Sequence, residues 1–218
     1  MAVGDVSAAA HMDAIYRYQR YIYDASRKYY LLGRDQLLDE LAPPTGGRVL
    51  EVACGTGRNL IKAARCHPDA KFYGFDISSA MLDTARASIR RNGLANKIVV
   101  ATGDATDISA ERLFGIPAFD RVFVSYSLSM IPDWRVALRE AYGAVKPGGQ
   151  LHIVDFGQQE ALPRWFKKGL HAWLAKFSVE PRADLEAELR ALAQEHGAKL
   201  SFKRMLRDYA QRAVLEKP

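Results

Sequence analysis

The sequence predicts an α/β fold built on a seven-stranded, mostly parallel sheet with helices on both faces. Short apolar runs alternate with segments of helical periodicity through most of the chain, as is typical of parallel sheets with right-handed crossovers. A glycine-rich bend directly follows the first apolar run. Two apolar runs near the C-terminus are separated by only a few polar residues, a spacing that predicts an antiparallel hairpin at one edge of the sheet.

The N-terminal part of the chain precedes the alternating pattern. Residues 1–11 are small and polar and predict a disordered tail. Residues 12–41 have helical periodicity that Gly33 interrupts, and the proline and glycine pairs within 43–47 end it. We therefore expect an N-terminal helical cap over residues 12–45.

After this cap, the alternation assigns each element. Apolar runs bounded by turn residues predict strands at 48–52, 71–75, 98–102, 121–125, 150–155, 199–204 and 209–215. Apolar residues at helical spacing predict helices at 58–65, 79–91, 134–145 and 183–196. Ser78 is placed to cap the second of these helices, and Asn92 with Gly93 to end it.

Composition limits the class of protein. The length of 218 residues suits one domain, over 12–218, and no apolar run is long enough to predict a membrane-spanning helix. Cys54 and Cys66 show neither metal nor disulfide spacing, so we expect no metal site and a cytosolic location. The formal net charge of +6 permits contact with anionic membranes or nucleic acid. Because no RNA-binding module or catalytic-cysteine signature accompanies it, we expect no nucleic-acid partner.

The bend after the first strand carries the strongest indication of a ligand. Gly55 and Gly57 let the backbone approach a ligand and turn into a helix, and Asp76 ends the second strand, where it can accept hydrogen bonds from ribose hydroxyls. A dinucleotide site favours a small residue where this chain has Leu60. The Glu51 carboxylate repels pyrophosphate but suits the amino group and sulfonium of S-adenosylmethionine. The pattern therefore favours S-adenosylmethionine over NAD.

The order of these landmarks resembles the class I S-adenosylmethionine-dependent methyltransferases, whose fold is Rossmann-like. The resemblance covers about 45–218 and is carried by the segments EVACGTG at 51–57, GFDIS at 74–78, GDA at 103–105, FDRV at 119–122, KPGG at 146–149 and the terminal hairpin. One position departs from the pattern, because the family usually has glycine where this chain has Ala53. We expect the backbone to tolerate this methyl group.

The resemblance implies a role for each matching position at the ends of the strands. It places Glu51 near the methionine amino group, Asp76 on the ribose hydroxyls and Ser125 at the methionyl end. The remaining implied contacts are a backbone wall of Ala53, Gly55, Thr56 and Gly57, adenine packing by Ile77 and Met81, and adenine hydrogen bonds from Asp104 and the Ala105 amide. Alternatives stay open, since Ile77 and Met81 also suit a core and Asp104 also suits a helix cap.

The N-terminal segment has a narrower likeness. The run YRYQRYIYD at 16–24 and the run RKYYLLGRD at 27–35 resemble the betaine-lipid methyltransferases, which trimethylate diacylglycerylhomoserine, and share elements with the ubiquinone and menaquinone C-methyltransferases. In either family this segment caps the cofactor and shapes the substrate pocket. The resemblance therefore implies cofactor contacts from Tyr23 and Arg34 and a substrate contact from Tyr30.

Methyl transfer does not require covalent catalysis by the protein. Holding the nucleophile in line with the sulfur–carbon bond contributes roughly 7–11 kcal/mol by orientation alone. An amine acceptor must lose a proton between transfers, and Tyr126, Asp155 and His152 are candidate relays, although His152 also suits a buried strand. Methylated ammonium groups bind aromatic faces, for which Tyr30 and Tyr126 are candidates.

A second unusual stretch lies at 162–177, within a predicted insertion at 157–182. Phe166, Leu170 and Trp173 fall on one side at helical spacing, and several basic residues lie elsewhere. This combination suits a helix in the interface of an anionic membrane, and equally a lid helix packed on the sheet.

Taken together, these features predict an S-adenosylmethionine-dependent N-methyltransferase of diacylglycerylhomoserine that acts peripherally at the inner face of the membrane. Alternatives are a methyltransferase for a quinone or another small acceptor, an RNA methyltransferase, and a binding module without catalysis. The oligomeric state stays open.

Overall fold

The computed structural model describes residues 31–218. The predicted tail at 1–11 and most of the predicted cap lie outside the described residues, and so do Tyr23 and Tyr30. Those expectations stay predictions.

The described residues form an α/β domain whose elements follow the predicted order. The seven strands are β1 (Arg48–Val52), β2 (Lys71–Asp76), β3 (Ile98–Thr102), β4 (Phe119–Ser125), β5 (Val145–Phe156), β6 (Lys199–Met205) and β7 (Ala210–Glu216). The helices are α1 (Arg34–Asp39), α2 (Arg58–Cys66), α3 (Ser79–Arg91), α4 (Ala110–Phe114), α5 (Trp134–Gly143), α6 (Arg164–Ala175) and α7 (Leu185–His196).

All seven strands join one sheet in the order β3-β2-β1-β4-β5-β7-β6. The first five are parallel, whereas β7 runs antiparallel to β5 and to β6. Two apolar cores cover the two faces of the sheet, one containing residues of α5 and α7 and the other residues of α1, α2, α3 and α6. The predicted fold, with its C-terminal antiparallel hairpin and helices on both faces, is confirmed.

Close packing explains one of the predicted landmarks. A Cβ added to Gly74 would lie 2.6 Å from Leu60 Cδ1 and 2.9 Å from Cys54 Cβ. Glycine at this position of β2 therefore lets α2 and the bend after β1 lie directly against the sheet. The predicted cap of α3 is also confirmed, because Ser78 Oγ accepts a hydrogen bond from the Met81 amide at 3.3 Å.

The structure differs from the prediction where pairing between strands sets the ends of elements. The predicted turn at 147–149 lies within β5 as a bulge-like irregularity. Phe119 of β4 pairs with Val145, and Arg121 already pairs with Gln150, so the register between the two strands shifts here. The short helix α4 was not predicted; Ser109 caps it and Gly115 ends it in a left-handed conformation. No helix within residues 31–218 has both the length and the apolar character needed to cross a membrane.

Candidate functional site

The site lies where the strand order reverses, between β1 and β4. Helices that follow neighbouring strands leave to opposite faces there, so a crevice opens at the carboxyl ends of the strands. This crevice has a cavity volume of about 370 Å³. We call this crevice the cleft. The ends of β1, β2, β3 and β4 contribute to its lining.

The bend after β1 forms one wall of the cleft. Ala53, Gly55 and Gly57 all adopt left-handed backbone conformations, with φ of 54°, 52° and 72°. An L-residue in this conformation costs roughly 1–2 kcal/mol, so Ala53 stores strain where relatives of the predicted family carry glycine. The backbone tolerates the Ala53 methyl group, as expected.

Asp76 joins the end of β2 to this bend. Its Oδ2 accepts a hydrogen bond from the Gly55 amide at 2.7 Å, and its Oδ1 accepts one from the Ser78 amide at 3.0 Å. The residue is 8 % exposed and lines the cleft. A hydrogen bond to a carboxylate is stronger than a neutral one, so this single side chain fixes the bend relative to β2.

Two further acidic residues of the lining are also held by local hydrogen bonds. Glu51 is buried, and its Oε1 accepts a hydrogen bond from Asn59 Nδ2 at 2.7 Å, which links β1 to the first turn of α2. Asp104 Oδ1 accepts hydrogen bonds from the Thr106 amide and from Thr106 Oγ1, both at 2.8 Å. Asp104 thus closes a local turn and at the same time borders the cleft.

Two buried hydroxyl groups lie at and just beyond the end of β4, on the opposite wall. Ser125 and Ser127 line the cleft at 9 % and 7 % exposure, and neither Oγ has a hydrogen-bond partner among residues 31–218. A buried hydroxyl without a partner costs free energy, so such groups indicate a polar ligand at this wall. Sequence reasoning missed Ser127, although its position just beyond the end of β4 was a signal for it.

Hydrogen bonds from the segment after α6 hold the loop at 127–133, which continues this wall. Arg182 donates from Nε to the Leu128 carbonyl at 3.1 Å and from Nη2 to the Ile131 carbonyl at 3.0 Å. The Glu180 amide donates to the Ser129 carbonyl at 2.8 Å. On the other side, Asp155 Oδ2 accepts from the Ser129 amide at 3.2 Å. The loop is therefore clamped from both sides.

The structure brings most of the predicted site residues together. Those that line the cleft are Arg34, Glu51, Ala53, Gly55, Thr56, Asp76, Ile77, Met81, Asp104, Ala105, Ser125 and Tyr126. Gly57 shapes the bend without lining the cleft, and a Cβ there would lie 3.1 Å from Ala85 Cβ. Besides Ser127, the prediction missed several further lining residues, among them Arg58, Asn59, Thr106, Met130 and Asp133.

Two of the three candidate proton relays require correction, whereas His152 is the core residue that its position in a buried strand also suited. Asp155 does not line the cleft; it is 1 % exposed and holds the backbone of the loop after β4. Tyr126 lines the cleft, but its hydroxyl donates to the Leu32 carbonyl and burial raises its pKa well above the usual value. His152 is a core histidine within β5, where burial lowers its pKa to about 3. This geometry favours none of them as a proton acceptor from a substrate in the cleft.

Comparison with known proteins agrees with this geometry. Residues 49–149, from β1 to the irregular part of β5, match a family model described as a methyltransferase domain. The matched segment contains the bend, Asp76, Asp104 and both unpartnered serines. Residues 49–149 of this chain are therefore similar to a methyltransferase domain.

The curated proteins to which this chain is similar include enzymes named for quinone substrates. The chain is 30% identical over 141 residues to a demethylmenaquinone methyltransferase of Listeria welshimeri, covering 64% of this chain and 57% of the relative. It is 31% identical over 127 residues to the ubiquinone/menaquinone biosynthesis C-methyltransferase UbiE of Cereibacter sphaeroides, covering 58% of this chain and 49% of the relative. The chain thus spans about half the length of these relatives.

Solved structures show the same fold at low identity. An O-methyltransferase family protein from Burkholderia thailandensis has a TM-score of 0.68 at 20% identity, covering 89% of this chain and 59% of that one. The phosphoethanolamine N-methyltransferase 2 of Haemonchus contortus, solved with S-adenosyl-L-methionine, has a TM-score of 0.67 at 19% identity, covering 85% of this chain and 52% of that one.

The buried carboxyl of Asp155 gives a pH-dependent test of the clamp. Burial raises its pKa from 3.8 to about 6, so the folded state binds more protons than the unfolded state between these values. The stability that Asp155 contributes is complete below about pH 4 and declines as the pH rises through 6. We expect Asp155→Asn to remove this decline, shifting the difference in unfolding free energy by about 3 kcal/mol between pH 4 and pH 7.

Urea unfolding of wild type and Asp155→Asn across this pH range measures the effect. Asp133→Asn is the matched control, since Asp133 borders the same loop but is exposed. If the free energy of unfolding depends on pH in the same way in wild type and in Asp155→Asn, the expectation is contradicted.

Proposed function

We propose that this chain binds S-adenosylmethionine in the cleft and transfers its methyl group to a lipid acceptor. The observation that carries the proposal is the cleft itself, in which a carboxylate-anchored glycine bend faces two unpartnered serine hydroxyls across the reversal of strand order. The matched methyltransferase family model supports the same activity.

The cleft residues fit the chemical groups of this cofactor. Asp76 presents a buried carboxylate that suits the two ribose hydroxyls, and Glu51 presents one that suits the cationic methionyl end. Ile77 and Met81 supply apolar surface for the adenine ring, beside Asp104. The unpartnered hydroxyls of the serine wall suit the polar methionyl group. Tyr23 and Arg34 keep their predicted roles in closing the site as part of this proposal.

The transfer itself places few demands on the chain. When bound, S-adenosylmethionine supplies an electrophilic methyl group, and the electron pair of the broken sulfur–carbon bond stays on sulfur to give S-adenosylhomocysteine. The chain excludes water from the cleft and holds the acceptor in line with that bond. The clamped loop at 127–133 provides a rigid wall for this positioning.

The ribose assignment predicts a loss of cofactor affinity in Asp76→Asn. A hydrogen bond to a charged group contributes about 1.5–3 kcal/mol, so we expect cofactor binding to weaken by roughly 10- to 150-fold. Isothermal titration calorimetry with S-adenosylhomocysteine measures the change. Asp83→Asn, an exposed position on α3, is the matched control and should bind as wild type does. Unchanged affinity in a folded Asp76→Asn protein would count against the assignment.

For the acceptor, we place a quinone-type ring first. The relatives that align with this chain are named for demethylmenaquinone and for ubiquinone and menaquinone. In this reaction a ring carbon of the quinol donates the electron pair for the new carbon–carbon bond. The ring then transfers the proton that this carbon carried to a water molecule.

Betaine-lipid synthesis is the second candidate. It is supported by the likeness of the segment 16–35 to the betaine-lipid methyltransferases. Most of this segment, including Tyr30, lies outside the described residues. The matched relatives do not support it, so the initial preference for N-methylation of diacylglycerylhomoserine gives way to the quinone alternative.

A single labelling experiment separates the two acceptors. The protein is incubated with deuteromethyl S-adenosylmethionine and either a reduced demethylnaphthoquinone lipid or diacylglycerylhomoserine, and the products are analysed by mass spectrometry. We expect one labelled methyl group on a ring carbon of the quinol and none on the amine, with Asp76→Asn as the low-activity control. Label on the amine alone would favour the betaine lipid, and label on neither would contradict the proposal of a lipid acceptor.

We also infer that the protein works peripherally at the inner face of an anionic membrane, through α6. The apolar side of α6 is partly used for packing, since Leu174 is buried, but Trp165 is 76 % exposed. Lys167 and Lys168 lie beside it, and no acidic residue occurs between 161 and 179. An exposed tryptophan beside basic residues suits the headgroup region of a bilayer.

This inference predicts weaker vesicle binding when Trp165, Lys167 and Lys168 are all changed to Gln. Each basic residue near an anionic surface contributes about 1 kcal/mol, so we expect at least tenfold weaker cosedimentation with phosphatidylglycerol vesicles. Changing Arg90, Arg91 and Val99 to Gln removes as many basic charges and an exposed apolar side chain elsewhere, and serves as control. Equal binding by both variants would exclude α6 as the contact.

A further inference from the structure

An apolar groove outside the cleft lies between α6 and the turn that joins β6 to β7. Its cavity volume is about 540 Å³, and its floor is Tyr209. Within residues 31–218, the remaining lining residues are all apolar: Leu32, Leu162, Phe166, Leu170, Trp173 and Leu206. Two of them are unusually exposed for their size, Phe166 at 37 % and Leu206 at 54 %. Exposed apolar surface of this kind marks a binding site for an apolar partner.

The groove adjoins the cleft through a shared aromatic wall. Tyr126 lines the cleft and contacts Phe156 edge-on, with ring centroids 4.7 Å apart. Phe156 in turn contacts Tyr209 in the groove at 6.1 Å. Along the chain, Leu31 lines the cleft and Leu32 lines the groove. The side chains of Tyr126, Phe156 and Tyr209 therefore form a continuous series of contacts from the cleft to the groove.

The β6–β7 turn is built to keep one groove wall in place. Leu206, Arg207 and Asp208 adopt three consecutive left-handed conformations, with φ of 53°, 60° and 63°. The Asp208 carboxylate accepts hydrogen bonds from the amides of Gln158 and Glu160, at 3.1 and 3.4 Å, which ties the strained turn to the loop after β5. Strain retained in a well-anchored turn is typical of functional segments. Here it holds an exposed leucine over the groove.

We propose that this groove binds the hydrocarbon chain of the acceptor lipid while the reacting headgroup lies in the cleft. The inference rests on the proposed function and adds a second subsite to it. A hydrocarbon chain is favoured over a protein partner because the groove offers apolar contacts without paired polar groups, and because the basic residues of α6, Arg164, Lys167 and Lys168, match the anionic membrane that supplies such chains. Each methylene group buried in the groove raises affinity roughly fourfold.

Fluorescence quenching tests the chain site without any methyl transfer. The probe is an uncharged, nitroxide-labelled C12 chain, which quenches Trp173 when it occupies the groove. The test variant combines Leu170→Gln on α6 with Leu206→Asn, because asparagine tolerates the left-handed conformation of position 206. The matched control is Val136→Gln, an exposed apolar residue on α5 remote from the groove in sequence and absent from its lining.

We expect saturable quenching in wild type and in the control, and at least tenfold weaker probe binding in the double variant with unchanged affinity for S-adenosylhomocysteine. Equal probe binding by all three proteins would overturn the proposal. Sedimentation velocity tests whether a second copy of the chain occupies the groove instead. A wild-type dimer that the double variant dissociates would show that a second copy of the chain fills the groove, and would also overturn the proposal.

A kinetic comparison separates this inference from the proposed function. We expect kcat/KM to fall at least tenfold when the acceptor loses its hydrocarbon chain, and this preference to disappear in the double variant. Methyl transfer that is indifferent to the chain in both proteins would overturn the chain site and leave the methyltransferase proposal standing. Saturable, variant-sensitive probe binding without transfer to either acceptor would support the chain site and contradict the acceptor proposal.

Discussion

The site of this protein depends on the hydrogen bonds that Asp76 accepts from the backbone. The carboxylate holds the Gly55 amide on one side and the Ser78 amide on the other, and so connects the bend after β1 to the start of α3. Without a fixed acceptor, a bend containing a strained alanine and two left-handed glycines has many conformations of similar energy. The anchored bend gives the cleft one rigid wall before any ligand binds, and preorganisation of this kind lowers the cost of binding.

The opposite wall is held by a different mechanism. The carbonyl groups of the loop after β4 are bound by Arg182 and by the Glu180 amide. Arg182 is itself fixed, because Gln211 Nε2 donates to its carbonyl at 3.0 Å and its guanidinium lies 6.0 Å from the ring centroid of Trp134. This arrangement couples the cleft to the segment that follows α6. A contact made by α6 therefore has a direct structural route to the wall on which the acceptor is positioned.

Both lipid acceptors require a protein that handles a polar reacting group and a long apolar chain at once. In this chain the two environments lie on either side of Phe156, with the cleft beyond Tyr126 and the apolar groove beyond Tyr209. Phe166, Leu170 and Trp173 of α6 line the groove, and Trp165 of the same helix is exposed. The pairing of an apolar groove with a polar cleft suits the proposed lipid acceptor.

The sequence by itself determined the sheet, the bend and the acidic residues at the strand ends. These features follow from local rules: apolar periodicity, the conformational freedom of Gly55 and Gly57, and the short polar side chain of Ser78 at a helix start. Tertiary structure decided the ends of β4 and β5. The bulge-like irregularity in β5 depends on its pairing with β4, whose residues are distant in the chain. It also placed Asp155 behind the cleft wall and Ser127 in the lining, because the direction of a side chain at a strand end depends on which backbone groups across the fold bind it. The groove likewise arises only when α6 meets the β6–β7 turn, segments far apart in the chain.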